Sequence, residues 1–424
     1  MTRPIMKLIG AAIAACCACQ PALADPDLFS RDAFSGLIDL RVAGVDGQPS
    51  FLQGGFGKLR FGGKSDGGID GHATLADAAL VWQPQFTWAL GATIDAEHQE
   101  GQTNAVDLVQ AFLSYRPAPV AGIKVSAKAG LYYPAISQEH EGPTWSVADT
   151  ITPSAINTWV GEEVKVVGGE ARATAHLGEQ ELTATGGLFG FNDTSGAELM
   201  FRGWGLHDLK STAFGRFSLP PLNDYFSDKQ PEFTSNTAEV DGRLGYYGRI
   251  DWRPPGRFAL NAFYYNNNGN KIGVTPQEEW AWATQFWNFG ASWDLDDHTR
   301  LLSQVMTGET LMGYPNARSV WVNLGYTSAY FLATHKVGKS GFTGRVEYFE
   351  TSDRNFRAAT DDPGDNMGEK GWALTGAYRY AIDAHTRLMV EVLHVDSNRP
   401  SLSEAGLSPL QRQTMVQSSL RFSF

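Results

Sequence analysis

The chain has almost no cysteine. Its three cysteines, Cys16, Cys17 and Cys19, all lie within the first twenty residues. Beyond them there can be no disulfide, thiol nucleophile or cysteine metal site, which also sets aside a small disulfide-stapled extracellular domain. Past that same region no stretch approaches the roughly 20 apolar residues of a membrane helix. Basic charge is outnumbered, with 34 Lys and Arg against 46 Asp and Glu, a balance that argues against nucleic acid as a partner. Catalytic signatures are missing too: there is no G-x-S-x-G, H-E-x-x-H or P-loop.

The cysteine-bearing start stands apart. Arg3 and Lys7 precede an apolar run from Leu8 to Ala18, and Ala22-Leu23-Ala24 gives a small-x-small cleavage pattern. We read 1–24 as a signal peptide. A rival cut at Ile13–Cys16, a lipoprotein-like box, would leave Cys16 as the first residue. Removing Arg3 and Lys7 leaves 32 basic against 46 acidic residues, a net charge of −14.

What remains is rich in glycine (46) and aromatics (12%), with a slightly negative mean hydropathy. Its periodicity is two. Phe86, Trp88, Leu90, Ala92, Ile94 and Ala96 form one face of a strand, and Thr93, Asp95 and Glu97 belong to the other. Residues 123–131 alternate in the same way. Residues 242–268 read as a hairpin turning at Pro254-Pro255-Gly256. Connections alternate between tight turns (83–85, 116–122, 177–180, 253–257, 294–299, 336–341, 382–386) and long loops (near 62–71, 98–104, 134–161, 192–240, 266–279, 309–318, 351–370, 396–411). Short turns at one end and long loops at the other are the pattern of a transmembrane antiparallel β-barrel. Eight loops and seven turns call for 16 strands, with 18 as the alternative. The expected layout places a lead-in or first strand at 25–54 and the barrel at 55–424, its first strand beginning near Gly55. A soluble β-sandwich or propeller also alternates. Here, however, bulky aromatics (Phe86, Trp252, Trp293, Tyr380, Phe424) sit near strand ends, as interfacial girdles do. The chain ends in VQSSLRFSF, whose Val416, Leu420, Phe422 and Phe424 share one face. This is a closing strand, because an open edge in lipid is costly.

The polar faces then line a lumen. Alternation assigns Lys58, Arg60, Lys124, Lys128, Arg172, Arg243, Arg249, Arg345 and Arg379 to it, together with Asp95, Glu97 and Glu347. The basic excess suggests a wall that favours anions. The third long loop, 134–163, carries Trp145, Ile151, Ile156 and Trp159, too apolar a set to stay in solvent, so it is expected to fold inward as a constriction. Its candidate constriction residues are Glu139, His140, Glu141, Trp145, Asp149 and Trp159. Residues 192–240 form a candidate second cap. Adjacent Glu139, His140 and Glu141 could ligate a metal only with further partners, so no metal or cofactor is expected. The nine histidines are scattered, and no enzyme is expected.

The architecture, the KAGLYYP stretch (128–134) leading into the third loop, and the closing SSLRFSF (418–424) resemble bacterial general porins, most closely the phosphate-selective porin-like group. The resemblance implies a homotrimer of 16-stranded barrels in the bacterial outer membrane, each constricted by its third loop. It also implies partners limited to membrane lipid and small hydrophilic solutes or ions. The basic residues here are interrupted by Asp and Glu, unlike a dense phosphate ladder. The reading is a passive diffusion channel. A barrel hydrolase and a plugged, substrate-specific barrel are the alternatives.

Overall fold

The computed structural model describes residues 28–424; the expected signal peptide, 1–24, lies outside them. Sixteen strands close into one antiparallel barrel. They are β1 (Phe34–Val45), β2 (Asp70–Trp82), β3 (Leu90–Gln99), β4 (Asp107–Tyr115), β5 (Lys124–Tyr132), β6 (Val166–Leu177), β7 (Gln180–Gly190) and β8 (Gly245–Arg253), followed by β9 (Phe258–Asn266), β10 (Ala283–Asp294), β11 (Thr299–Pro315), β12 (Val320–Val337), β13 (Ser340–Asp353), β14 (Glu369–Ala381), β15 (Thr386–Asn398) and β16 (Leu410–Ser423). Each pairs with its sequence neighbours. The seam is β1 against β16, running from Leu37 opposite Ser423 to Val45 opposite Met415. Phe424 and Gly36 exchange two backbone hydrogen bonds of 3.2 and 3.1 Å. The terminal strand therefore closes the edge that lipid would not tolerate.

The strand count matches the expectation, but its starting point does not. The first strand is Phe34–Val45 rather than a segment near Gly55. Ile38, Leu40 and Val42 point outward from it, while Asp39 and Arg41 point inward and are buried. The stretch after it contains Gly54, Gly55, Gly57, Gly62 and Gly63, and that much glycine bends a chain where a strand would have to run straight. It turns into the barrel as the first loop, 46–69.

Outward positions are apolar along every wall: Leu388, Val390 and Val392 on β15, Phe331 on β12, Val346 on β13 and Trp372 with Leu374 on β14 are exposed. Trp252, Trp293, Phe342, Tyr380 and Phe424 ring the end that carries the short turns, where amphipathic rings meet headgroups. No helix among the described residues is long and apolar enough to cross a membrane. Inward positions depart from simple alternation. On β10 to β16 many are apolar and fully buried, among them Phe286, Met306, Tyr326, Leu332, Phe349, Met389 and Leu393. Strands that are apolar on both faces have something packed on both.

Candidate functional site

A barrel of 16 strands is too wide for wall side chains to fill. In this chain three loops enter it: 46–69, 133–165 and 191–244. The third-loop segment carries a helix, α1 (Ala155–Glu163), and the next loop carries a short one, α2 (Ala197–Phe201). All nine residues of α1 are buried. Ser154 caps its N-terminus, and two carboxylates converge there. Glu347 accepts from the Ala155 amide at 2.7 Å and Glu139 from the Ser154 amide at 3.0 Å. Negative charge at a helix N-terminus is favoured by the helix dipole.

Arg345 of β13 holds this arrangement together. Its guanidinium meets Glu139 at 3.0 Å and Glu347 at 2.9 Å, and donates to the carbonyls of Thr152 (2.8 Å) and Pro153 (2.9 Å). Glu391 of β15 accepts from the amides of Ile151 (2.7 Å) and Thr152 (3.1 Å). Arg379 of β14 reaches Asp149 at 3.2 Å, and Arg421 of β16 donates to the Val147 carbonyl at 3.3 Å. The loop leaves the wall between β5 and β6 and is fastened to β13 through β16, so it spans the lumen. Beside it, a gap of about 10 Å³ lined by Gln138, Glu139, Asp149, Leu302 and Leu332 has room for about one water.

The loop 191–244 packs on the other side of α1. Arg202 grips Glu162 with two bonds of 2.6 Å and lies 3.3 Å from Glu198, and His207 meets Glu162 at 2.6 Å. All four side chains are sealed from solvent. Burial pushes the Glu162 carboxyl up, but Arg202 and His207 outweigh it and hold it down at about 2. Burial pushes the Glu163 carboxyl up to about 7 against the pull of its bonds from the Glu198 amide and the Trp159 indole. Glu198 is raised well above the usual carboxylate range by burial, which the Arg202 charge only partly offsets. Trp159 lies edge-on to Trp204 (6.2 Å) and Phe286 (5.3 Å). This joins both loops to the apolar inner wall in one continuous core. Arg399, ahead of β16, donates to the carbonyls of Met200 (2.7 Å) and Phe201 (3.0 Å), holding the C-terminal end of α2. Farther along, Asp208 bridges Arg41 (2.6 Å) and Arg60 (3.1 Å), and Lys210 meets Glu97 (2.8 Å).

Solved structures share this architecture at low sequence identity. The outer membrane channel DcaP of Acinetobacter baumannii matches with a TM-score of 0.54 and 11% identity, over 92% of this chain and 96% of that one. The anion-selective porin from Comamonas acidovorans matches at 0.51 and 11%, over 92% and 98%. A loop L8 deletion mutant of OmpT, an outer membrane protein of Vibrio cholerae, matches at 0.51 and 9%, over 92% and 98%. The fold is that of the outer-membrane porins. No protein-family model matches the chain, and no curated protein matches it in sequence.

Within this porin fold, several residues assigned to the lumen wall lie elsewhere. Lys58 and Arg60 are on the inward first loop, not on a strand. Lys58 forms an ion pair with Glu369 and donates to the Trp204 carbonyl at 3.0 Å. Burial lowers its ammonium to about 8 despite Glu369. Arg243 is exposed and precedes β8, outside the lumen. Lys124 stands at the turn end of β5. Lys128, Arg172, Arg249, Arg345, Arg379, Asp95, Glu97 and Glu347 are on inward faces of strands, but most are paired. Lys128 meets Glu170 (3.4 Å) and Arg249 meets Asp251 (2.5 Å). The adjacent Glu139, His140 and Glu141 do not converge. Glu139 faces Arg345, Glu141 takes Arg300 at 2.8 Å, and His140 stacks on Trp145 with ring centroids 3.6 Å apart. Trp159 sits at the centre of the core. Among the described residues Lys124, Arg172 and Arg387 make no ion pair, and all three project into the half that opens toward the short turns. There Arg172, Arg249 and Arg300 border a cavity of about 190 Å³.

Sequence reasoning missed Glu162, Glu163, Glu198, Arg202, His207 and Asp208. The one visible signal, for Arg202, His207 and Asp208, was FRGWGLHDL (201–209), which is too apolar and too charged at once for a loop in solvent.

Proposed function

We propose that this chain is a channel of the bacterial outer membrane, passing small hydrophilic solutes or ions by diffusion, as a homotrimer and with a leaning toward anions. The observation that carries the reading is the buried clamp of Arg345 on Glu139 and Glu347. It holds an inward third loop across a closed 16-strand barrel, in the place where a sieve must sit. The anion leaning rests on what is left over. Most wall charges cancel in pairs; of those without an ion pair among the described residues, the carboxylates Asp95 and Glu391 are buried, whereas Lys124, Arg172 and Arg387 are basic and face the open half of the lumen, where a fixed charge screens passing ions. Outward apolar strands with aromatic girdles support the membrane placement.

A second reading is favoured by the sealed core of Trp159, Trp204, Glu162 and Arg202: a gated barrel, conducting when the loops 134–163 and 192–240 withdraw. A hydrolase finds less support. Ser137 and His140 are hydrogen-bonded at 2.8 Å, but the hydroxyl caps its own turn by accepting from the amides of 139 and 140. No carboxylate meets the other ring nitrogen among the described residues.

Purified protein in a planar bilayer under a salt gradient tests the proposal. Discrete conductance steps with an anion-side reversal potential are expected. Silence across many insertions, or clear cation preference, would overturn the channel and the anion leaning respectively. Voltage- or pH-dependent steps would single out the gated form.

A further inference from the structure

At the end of the barrel that carries the long loops, between the loop 191–244 and the tips of β11 to β14, lies a cavity of about 330 Å³. That is within the size range of small-molecule sites, about 300–1,000 Å³. Its apolar side is aromatic. Tyr225, half exposed, meets the edge of Trp321 (ring centroids 6.5 Å, interplanar 81°) and of Phe226 (4.8 Å, 86°). Trp321 is backed by Trp280 at 5.0 Å and Tyr314 at 5.4 Å, so the platform is braced from behind.

The polar side carries one basic residue against three acidic ones, Asp353, Asp361 and Asp365. The one basic residue lining it, Arg318, is bound to Asp361 (Nη2 to Oδ1, 2.7 Å) and to the Asn355 carbonyl (2.9 Å). Asp353 accepts from the amides of Asn355 (2.9 Å) and Met367 (3.3 Å), and Asp365 accepts from the Asp362 amide. The charges are therefore committed to neighbouring loop groups. What remains is asparagine. The amide oxygens of Asn323 and Asn355 have no hydrogen-bond partner among the described residues. Asn355 uses its nitrogen on the carbonyls of Val320 (2.8 Å) and Trp321 (3.1 Å). Unmet buried acceptors cost about 1–3 kcal/mol each and call for a donor.

A ligand that fits must offer hydroxyl donors on one side and polarised C–H groups on the other, because an aromatic face carries negative charge. The acidic excess turns anions away, and with each charge already bonded to a loop group nothing there demands a cation. We infer that this cavity binds a neutral sugar at the mouth of the barrel, stacked on Tyr225 and Trp321 and hydrogen-bonded to Asn323 and Asn355. The inference goes beyond conduction, since binding at this site requires no passage through the lumen.

The test is tryptophan fluorescence of the full chain in a detergent without a sugar headgroup. It would be titrated with glucose, galactose and maltotriose, and separately with choline chloride and sodium succinate. A saturable change with at least one sugar, at a dissociation constant of ~1 mM, is expected, with none from the charged probes. Tyr225→Ala should weaken it about tenfold or more (on the order of 1.4 kcal/mol per decade). Trp321→Phe, which keeps a platform, should weaken it less. Each variant must first show the heat-dependent mobility of a folded barrel. No response of folded protein to any of the three sugars would overturn the proposal, as would a response confined to choline or succinate or one unchanged by Tyr225→Ala. Bilayer silence would leave this result untouched, so the two readings fail separately.

Discussion

Replacing Arg345 by Met removes the only cation among the described residues that pairs with both Glu139 and Glu347. Both carboxylates stay buried, at 5% and 2% relative exposure. Breaking a buried ion pair from one side costs about 3–5 kcal/mol. The ladder hydrogen bonds of β13 do not involve the guanidinium, so the cost falls on docking of the third loop rather than on the barrel, as local opening. At about 1.4 kcal/mol per decade, the ratio of docked to undocked loop falls by a factor between about 10² and about 4 × 10³. Limited proteolysis within 134–163 should accelerate by a similar factor where opening is fast relative to cleavage. Single-channel records should show larger or noisier steps, while heat-dependent mobility of the barrel stays as in the parent. Arg345→Lys, which keeps charge but loses the fork, should lie between the two. The triple change Arg345→Met, Glu139→Gln, Glu347→Gln should recover much of the loss, because no charge is then left unpaired. Unchanged cleavage and unchanged conductance in Arg345→Met would refute the reasoning.

The Glu163 carboxyl, raised from 4.5 to about 7, contributes docking stability that is full below pH 4.5 and lost as pH rises through about 7. Open probability should therefore climb across that window, and Glu163→Gln should flatten the climb. Glu162, held at about 2, runs the other way, and its contribution fades only as pH falls from 4.5 toward 2, below the range of the measurement. Trp159→Ala should loosen the same core by about 3–5 kcal/mol, read as increased hydrogen exchange in α1 with the strands unaffected. Arg172→Glu with Arg387→Glu should move the reversal potential toward cations by reversing the unpaired charge. Gly36→Leu should lower the folded fraction seen as heat-dependent mobility, since any Cβ at Gly36 collides with the Phe424 ring.

The strands were legible because their period of two survives on the outward face everywhere. The number of loops followed from glycine, proline and asparagine placement. What misled was a loop that imitates a strand. Lys58 and Arg60 alternate with Leu59 and Phe61, and all four are buried, but inside a bend whose glycines pull it into the lumen. Alternation alone cannot separate an inward loop from a wall. The inward fold of the third loop was readable from Trp145, Ile151, Ile156 and Trp159. Its partners were not, because Glu139 and Arg345 are 206 residues apart and nothing local links them. One hint went unused. Val320, Val322 and Leu324 face inward while Val305 and Phe331 face lipid, and strands that are apolar on both sides announce a filled barrel.

The seam has a consequence in time. Asp39 on β1 takes Arg421 on β16 at 2.7 Å, a contact between residues 382 apart. Apart from this seam of β1 with β16, every strand pairing of the wall joins neighbours in chain order and can form progressively. This one brings the two ends of the barrel together, at the full loop-closure entropy of the chain. Contacts of such separation are slow to form, so the closing step is the natural bottleneck of assembly. Until it is passed, the edges of β1 and β16 stay open to pairing with another chain.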